Sequence, residues 1–209
     1  MIELINNILQ FLVALLATIG AGVLFYKSRK QIYLLLTWFY GAYALGALYW
    51  TLHFILFQYT PQIFYVSEIA WIASSMFLLT IEHTLPSSEE RKFRHWGVWL
   101  VPVFCVPQLI LYLYIGDILF NLLISGVTMA IAWYSVRGLM YARQQQGKAK
   151  DMQFFHLAVI VYIVLLYLLW TSSCFWISDT YTNPYFWIDF MLTASLFIIL
   201  PAAKKAVST

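Results

Sequence analysis

Long apolar runs separated by short polar segments dominate this chain. A helix needs about 20 mostly apolar residues to cross a hydrocarbon core of about 30 Å. Seven segments have this length, and their approximate bounds are 5–26, 32–58, 63–85, 96–115, 118–141, 153–177 and 185–203. The runs are too long for barrel strands, and a helix satisfies every backbone N–H and C=O group within its own segment. The pattern predicts an all-α, polytopic membrane protein with seven transmembrane helices in a single domain, residues 1–209.

The basic residues cluster at alternate ends of these runs. All 12 lie at or after the ends of the first, third, fifth and seventh spans: Lys27, Arg29, Lys30, Arg91, Lys92, Arg94, Arg137, Arg143, Lys148, Lys150, Lys204 and Lys205. The opposite ends carry Glu3, Asp117 and Asp179 and neither Lys nor Arg. By the positive-inside rule, we expect the N-terminus outside the cell and the C-terminus in the cytoplasm.

Composition excludes several classes of protein. Hydrophobic residues make up 63% of the chain and charged residues 10%, and the mean hydropathy is +0.78. A soluble domain has about 45–50% apolar and about 25% charged residues, so a soluble enzyme and a disordered chain are excluded. The net charge of +3 reflects the topology, so we expect a lipid bilayer as partner and no nucleic acid.

The second and third spans resemble the sixth and seventh. Trp50-Thr51 and Trp170-Thr171 occupy matching places, and Glu68 and Asp189 are each preceded by two aromatics and followed by Ala-Ser at the same spacings. The first and fifth spans match more weakly, through Asn7 and Asn121. The match predicts two parallel three-helix repeats, 1–86 and 118–205, joined by the fourth span. Chance similarity in an aromatic-rich chain is the alternative.

Two carboxylates lie inside predicted spans and away from their cytoplasmic ends, where an ionisable group costs at least about 2.5–3.5 kcal/mol and therefore needs a reason. Helical spacing groups each acid with aromatic residues on one face. The predicted ligand-binding residues are Glu68, Tyr65, Trp71, Asp189, Tyr185, Phe186 and, one turn from Trp50, His53. If both faces turn inward, the two acids line one aromatic cavity suited to a cationic or hydrogen-bonding ligand. Alternatively, each acid hydrogen-bonds a neighbouring helix or reaches the headgroups, and His53 is a packing residue.

No catalytic constellation emerges from the sequence, so we predict no catalytic residue, metal or cofactor. Glu89-Glu90-Arg91-Lys92-Phe93-Arg94 fits the EExxxR pattern of an intramembrane protease family, but it falls in a short polar loop and the histidines are not placed to complete a metal site. Glu82 and His83 lie near the cytoplasmic end of the third span, where we expect both to reach water.

The segment from Tyr59 to Ser75, YTPQIFYVSEIAWIASS, together with the seven-span layout, resembles the seven-helix sensory input regions of bacterial signalling proteins. Such regions precede histidine-kinase or diguanylate-cyclase output domains. The resemblance implies residence in a bacterial cytoplasmic membrane. It also implies either a free-standing input module that signals through a cytoplasmic or membrane partner, or a relative of such modules with a different task.

We consider four functions for this protein, in order of preference. The first is a sensor or receptor-like module that binds a small ligand near the outer face at Glu68 and Asp189. The second is a small-molecule or proton-coupled transporter of the 3+1+3 parallel-repeat type, with the same carboxylates. An intramembrane enzyme acting on lipid and a structural subunit are the remaining alternatives. A transporter predicts a polar path that continues below the acids, whereas a receptor predicts a cavity closed beneath them.

Overall fold

The computed structural model describes residues 2–59 and 65–208 as helices joined by short turns, without a β-strand in those ranges. The helices are α1 (Ile2–Ser28), α2 (Gln31–Phe57), α3 (Tyr65–Thr84), α4 (Ser88–Lys92), α5 (Leu100–Ile115), α6 (Ile118–Arg143), α7 (Lys148–Ser173) and α8 (Pro184–Ser208). A short 3-10 turn, Trp96–Trp99, leads directly into α5.

Each predicted span corresponds to one long helix, and the ends differ most where charges follow the apolar run. Helix α7 begins at Lys148, five residues before the predicted start at 153. Helix α8 continues through Lys204 and Lys205 to Ser208. Lysine and aspartate do not count toward an apolar run, but lysine in particular is compatible with helical backbone, so the helices extend past the hydrophobic boundary.

Within the described residues, six helical segments are long and apolar enough to cross a membrane: Ile2–Ser28, Gln31–Phe57, Trp96–Ile115, Ile118–Arg143, Lys150–Ser173 and Pro184–Val207. Helix α3, which carries Glu68 and Glu82, is not among them. The length and composition of these helices are those of a multi-pass integral membrane protein. The third span, and with it a total of seven, stays a prediction.

The long helices form a ring with one helix outside it. Going round the ring, the order of contact is α1, α2, α3, α6, α7 and α8, and α8 closes the ring against α1. Helix α5 lies outside this ring and packs mainly against α6. We call the end of the bundle that carries Glu3, Asp117 and Asp179 the acidic end, and the end that carries the lysines and arginines the basic end. Hydrogen bonds join the segments that flank the α1–α8 contact: Glu3 N of α1 donates to Asp179 Oδ1 of the α7–α8 segment (3.2 Å), and Lys30 Nζ of the α1–α2 turn donates to the Val207 carbonyl of α8 (2.6 Å).

The interior of the ring is a continuous apolar core. Its largest fully buried side chains come from several helices and are Leu36, Phe39, Tyr40, Leu78, Ile81, Ile124, Ile131, Phe155, Tyr167, Leu192, Leu196 and Ile199. The outward faces are also apolar: Leu16 and Ile19 of α1, for example, are 60% and 55% exposed. Helices that are hydrophobic on both faces fit a bundle whose surroundings are lipid.

Candidate functional site

Asp189 is the buried centre of a polar cluster between α8 and α1. The Asn6 amide donates to Asp189 Oδ2 (2.5 Å), and the Gln10 amide donates to Oδ1 (2.8 Å). Asn6 and Gln10 are four residues apart, so helical geometry places both on the face of α1 that meets α8. All three side chains are at least nine-tenths buried. Two neutral amides satisfy part of the hydrogen-bonding capacity of the carboxyl group, and neither carries a positive charge that could balance a carboxylate.

Asp189 lines a cavity of about 450 Å³ that extends toward the acidic end. Glu3, Trp176, Ile177 and Asn183 also line it, and they belong to the start of α1 and to the segment between α7 and α8. This volume lies within the range of small-molecule sites in proteins, about 300–1,000 Å³. The cavity is therefore large enough for a small organic molecule and opens near one end of the bundle.

The lining of this cavity is acidic and aromatic. It contains the carboxylates of Glu3 and Asp189 and no Lys, Arg or His among the described residues. Its aromatic members come from five helices and the α7–α8 segment and are Tyr43, Trp50, Trp71, Phe120, Tyr162, Trp170, Trp176, Tyr185 and Phe186. Carboxylates attract cations by charge, and aromatic faces attract them through the ring quadrupole. The surface therefore favours a positively charged guest.

Two hydrogen-bond donors at the cavity wall have no acceptor within the described part of the chain. They are Asn7 Nδ2 and Trp71 Nε1, and both atoms are buried. A buried donor without an acceptor costs about 1–3 kcal/mol. A guest with an acceptor oxygen, or a water molecule, would satisfy these N–H groups.

Beneath Asp189 the described part of the bundle is tightly packed. Leu192, Leu196 and Ile199 follow Asp189 on α8 and have no exposed surface. Phe39 and Tyr40 of α2 belong to the same core, and the Tyr40 hydroxyl donates to the Leu196 carbonyl (2.8 Å). The apolar layer separates the cavity from the basic end.

The structure brings four of the predicted site residues together and separates the others. Asp189, Trp71, Tyr185 and Phe186 line the large cavity. Glu68 lies instead in a smaller neighbouring cavity, which shares Phe120, Trp170 and Ser173 with the first. The two acids therefore do not line one cavity.

Of the remaining two predicted residues, His53 does not line the cavity. His53 Nδ1 lies 3.1 Å from the Tyr59 carbonyl, and its ring packs against Phe57 and Tyr59. The side chain of Tyr65 lies outside the described residues. His53 thus has the contacts of a packing residue.

Sequence reasoning missed the contribution of α1. Glu3, Asn6, Asn7 and Gln10 recur at helical spacing in an otherwise apolar helix, and that polar stripe was the available signal. A search confined to ionisable residues inside spans gives little weight to neutral amides, although the amides of Asn6 and Gln10 hold the buried carboxylate.

A second buried polar cluster lies at the basic end. His156 Nδ1 and Glu82 Oε2 are 3.1 Å apart, His156 Nε2 and Glu90 Oε1 are 3.1 Å apart, and Ser135 donates to Glu82 Oε1 (2.7 Å). Glu82 has no exposed surface, so the expectation that it reaches water is wrong, whereas His83 is exposed as expected. The expected polar loop around Glu90 is the short helix α4, and its Glu90 is buried because it faces His156.

Within the described residues, no group of three or more His, Cys, Asp or Glu side chains is arranged to hold a metal ion. No protein-family model, curated protein or solved structure matches the chain. The chemistry of the cavities is therefore argued from their own residues.

Proposed function

We propose that this chain is a receptor-like membrane module that binds a small organic cation in the Asp189 cavity and signals through a partner protein. The observation that carries the proposal is a cavity of about 450 Å³ with two carboxylates, many aromatic walls and no cationic side chain among its described lining residues. Its closure by the apolar layer beneath Asp189 favours a receptor over a transporter, since a transporter predicts a polar path to the other end.

The proposed topology has seven spans, with the acidic end outside a bacterial cytoplasmic membrane and the basic end in the cytoplasm. Its support is the placement of the lysines and arginines, since cytoplasmic segments carry the excess of basic residues. In this orientation the cavity opens to the outer face, where an external ligand has access. The resemblance to sensory input regions agrees with this assignment and stays a prediction.

The packing order supports the proposed 3+1+3 repeat. Helices α1–α3 and α6–α8 form two consecutive halves of the ring, while α5, which joins them in sequence, lies outside. The α3–α6 contact of one junction corresponds to the α8–α1 contact of the other. This arrangement is what a two-fold axis along the membrane normal would produce.

The ligand class follows from the lining. An ammonium group near Asp189 gains charge attraction, and each aromatic face within reach adds about 0.5–2 kcal/mol. The unsatisfied N–H groups of Asn7 and Trp71 select for an acceptor oxygen on the same molecule. Small amines and quaternary ammonium compounds with a hydroxyl or carboxylate meet both requirements.

A route for the signal is present in the contact between α8 and α1. Asp189 belongs to α8, whereas the amides that hold its oxygens belong to α1. A ligand shifts a conformational equilibrium only if it binds two states with different affinity. A cation that binds the Asp189 carboxylate competes with the amides of Asn6 and Gln10 for its oxygens. From Asp189, helix α8 continues to the basic end, where Lys30 Nζ donates to the Val207 carbonyl.

The test is a binding titration with choline on the purified protein in neutral detergent, followed by the fluorescence of the cavity tryptophans. Asp189→Asn removes the charge and should weaken binding about 100-fold, which corresponds to about 2.7 kcal/mol. Asp151→Asn is the matched control: Asp151 lies at the basic end and is partly exposed beside Lys205. Equal affinity in the Asp189→Asn variant and in the wild type would contradict the proposal.

Proteoliposomes separate the receptor from the transporter. We expect choline to bind without crossing the membrane, because the apolar layer closes the cavity. Uptake of radiolabelled choline that Asp189→Asn abolishes would instead support transport through the same site.

Cysteine labelling tests the topology. In a variant without Cys105 and Cys174, a cysteine introduced as Ser178→Cys should react with an impermeant maleimide in intact cells. One introduced as Gln146→Cys should react only after permeabilisation. Labelling of both positions from the same side of the membrane would contradict the proposed topology.

A further inference from the structure

The smaller cavity next to the Asp189 cavity is bounded by the ends of four helices. It has a volume of about 210 Å³ and is lined by Glu68, Tyr112, Ile115, Gly116, Asp117, Phe120, Asn121, Trp170, Ser173 and Cys174. Helices α5 and α7 end here with their carbonyl groups, and α3 and α6 begin here. Two carboxylates, two helix C-termini with negative dipole ends and two helix N-termini with positive dipole ends therefore border this cavity.

Glu68 is the unpartnered group of this cavity. It is only 9% exposed, and within the described part of the chain its carboxylate makes no hydrogen bond and no ion pair. Asp117, in contrast, has a structural role, because its Oδ1 accepts from Phe120 N (2.8 Å) and caps α6. The Asn121 amide is also fixed, since it donates to the Tyr112 carbonyl (3.0 Å).

The charges in this cavity are unbalanced. Its described lining contains two carboxylates and no Lys, Arg or His. Asp117 is exposed, whereas Glu68 is buried, and burying an ionised carboxylate without a partner costs several kcal/mol, so the charge of Glu68 should be neutralised by a cation or a proton. We propose that the Glu68 cavity is a second binding site, separate from the Asp189 cavity, and that it holds a hard inorganic cation such as Na⁺ or Ca²⁺ through oxygen ligands.

The donor set and the size favour an inorganic cation over an organic one. Hard cations prefer carboxylate, carbonyl and water oxygens, whereas soft or borderline metals favour thiolate and imidazole nitrogen. This cavity has half the volume of its neighbour and fewer aromatic walls. In addition, the Glu68 carboxylate is free to coordinate, whereas both oxygens of Asp189 already accept amide hydrogens.

The predicted repeat relates the two cavities independently of their electrostatics. When Asn7 is matched with Asn121 and Asp189 with Glu68, Glu3 falls on Asp117, since each acid lies four residues before its asparagine. Four lining positions of the large cavity then have a counterpart in the small one: Glu3 and Asp117, Asn7 and Asn121, Trp50 and Trp170, Asp189 and Glu68. Gln10 corresponds to Ile124, so Glu68 lacks a counterpart of the Gln10 amide that donates to Asp189.

The experiment measures thermal unfolding of the full-length protein in neutral detergent during separate titrations with NaCl and CaCl₂. We expect one of the two salts to raise the unfolding midpoint saturably, by about 5–10 °C at a hundred times its dissociation constant. Glu68→Gln and Asp117→Asn should each abolish the saturable shift. Asp117→Asn keeps a side-chain oxygen that can cap α6. This variant therefore removes the charge of Asp117 and preserves the cap.

Two further variants serve as controls. Glu89→Gln, at the basic end, should retain the full shift and reveals any general effect of salt. Asp189→Asn should also retain it, because the inorganic site does not depend on an organic ligand in the neighbouring cavity. Equilibrium dialysis with ²²Na⁺ or ⁴⁵Ca²⁺ should show bound cation in the wild type and at least a tenfold loss of affinity in Glu68→Gln.

The proposal is overturned if neither salt gives a saturable shift, or if Glu68→Gln responds as the wild type does. The first result would mean that Glu68 is neutralised by a proton. Neither result bears on choline binding at Asp189, so failure of this site and failure of the proposed function are distinguishable.

Discussion

Two glycines of α6 provide a sharp test of packing at the basic end. A Cβ atom added at Gly138 would clash with His156 Nε2 and lie 2.6 Å from Glu90 Oε1. A Cβ added at Gly126 of the same helix would meet nothing within 4 Å. Since Gly138→Ala and Gly126→Ala are the same chemical change in one helix, their difference isolates the contact with His156 and Glu90.

The magnitudes follow from the two environments. Alanine in place of glycine in a helix interior gains up to about 1 kcal/mol, and Gly126→Ala should show this stabilisation. Gly138→Ala must displace a buried imidazole that Glu82 holds from its other side. Overpacking costs about 1–3 kcal/mol, and loss of a buried charged pair adds to it. We expect the two variants to differ by about 2–4 kcal/mol in the free energy of unfolding.

The assay is the unfolding midpoint in detergent, followed by circular dichroism. A difference of this size corresponds to roughly 4–16 °C for a chain of this length. Limited trypsin digestion gives a second measure, because displacement of Glu90 should loosen α4 and speed cleavage at Arg91 and Lys92. If Gly138→Ala were as stable as Gly126→Ala and equally resistant to trypsin, the buried contact between α4, α6 and α7 would be refuted.

Two other substitutions test the cavities. Tyr112→Phe removes a hydroxyl that donates to the Tyr167 carbonyl (3.0 Å), and should lower the free energy of unfolding by about 1 kcal/mol in a chemical denaturation series. Gly46→Ala places a Cβ atom 2.7 Å from Trp71 Nε1, so it should shift the indole and weaken choline binding severalfold in the fluorescence titration. Gly41→Ala on the same helix meets only an ordinary contact and should bind as the wild type does; equal affinities in both variants would contradict the placement of Trp71.

The helices could be predicted from the sequence because their signal is local. Apolar runs give the long elements, and placing the ends was harder only where charged residues such as Lys148 and Lys205 continue a helix past its apolar boundary. That Asp189 would need hydrogen-bond partners was also predictable, since a buried acid in a span is costly wherever the helix packs.

The composition of the sites was not predictable in the same way. Which helix faces Asp189 depends on how the ring closes, and spacing within α8 carries no information about Asn6 or Gln10 of α1. The same applies to Glu82, which is near the end of α3 in sequence but is covered by His156 from α7. Whether Glu68 and Asp189 line the same cavity depends on whether the polar faces of α3 and α8 meet inside the bundle. These two helices are separated by other members of the ring.

The central claim is that the Asp189 cavity takes a small organic cation, and a structure determined with saturating choline tests it most directly. We predict density for the ligand in the large cavity, with the ammonium group beside Asp189 and within about 6 Å of aromatic ring centres. The choline hydroxyl should face Trp71 or Asn7. An empty cavity at saturating choline, or ligand bound only on the lipid-facing surface, would contradict the account.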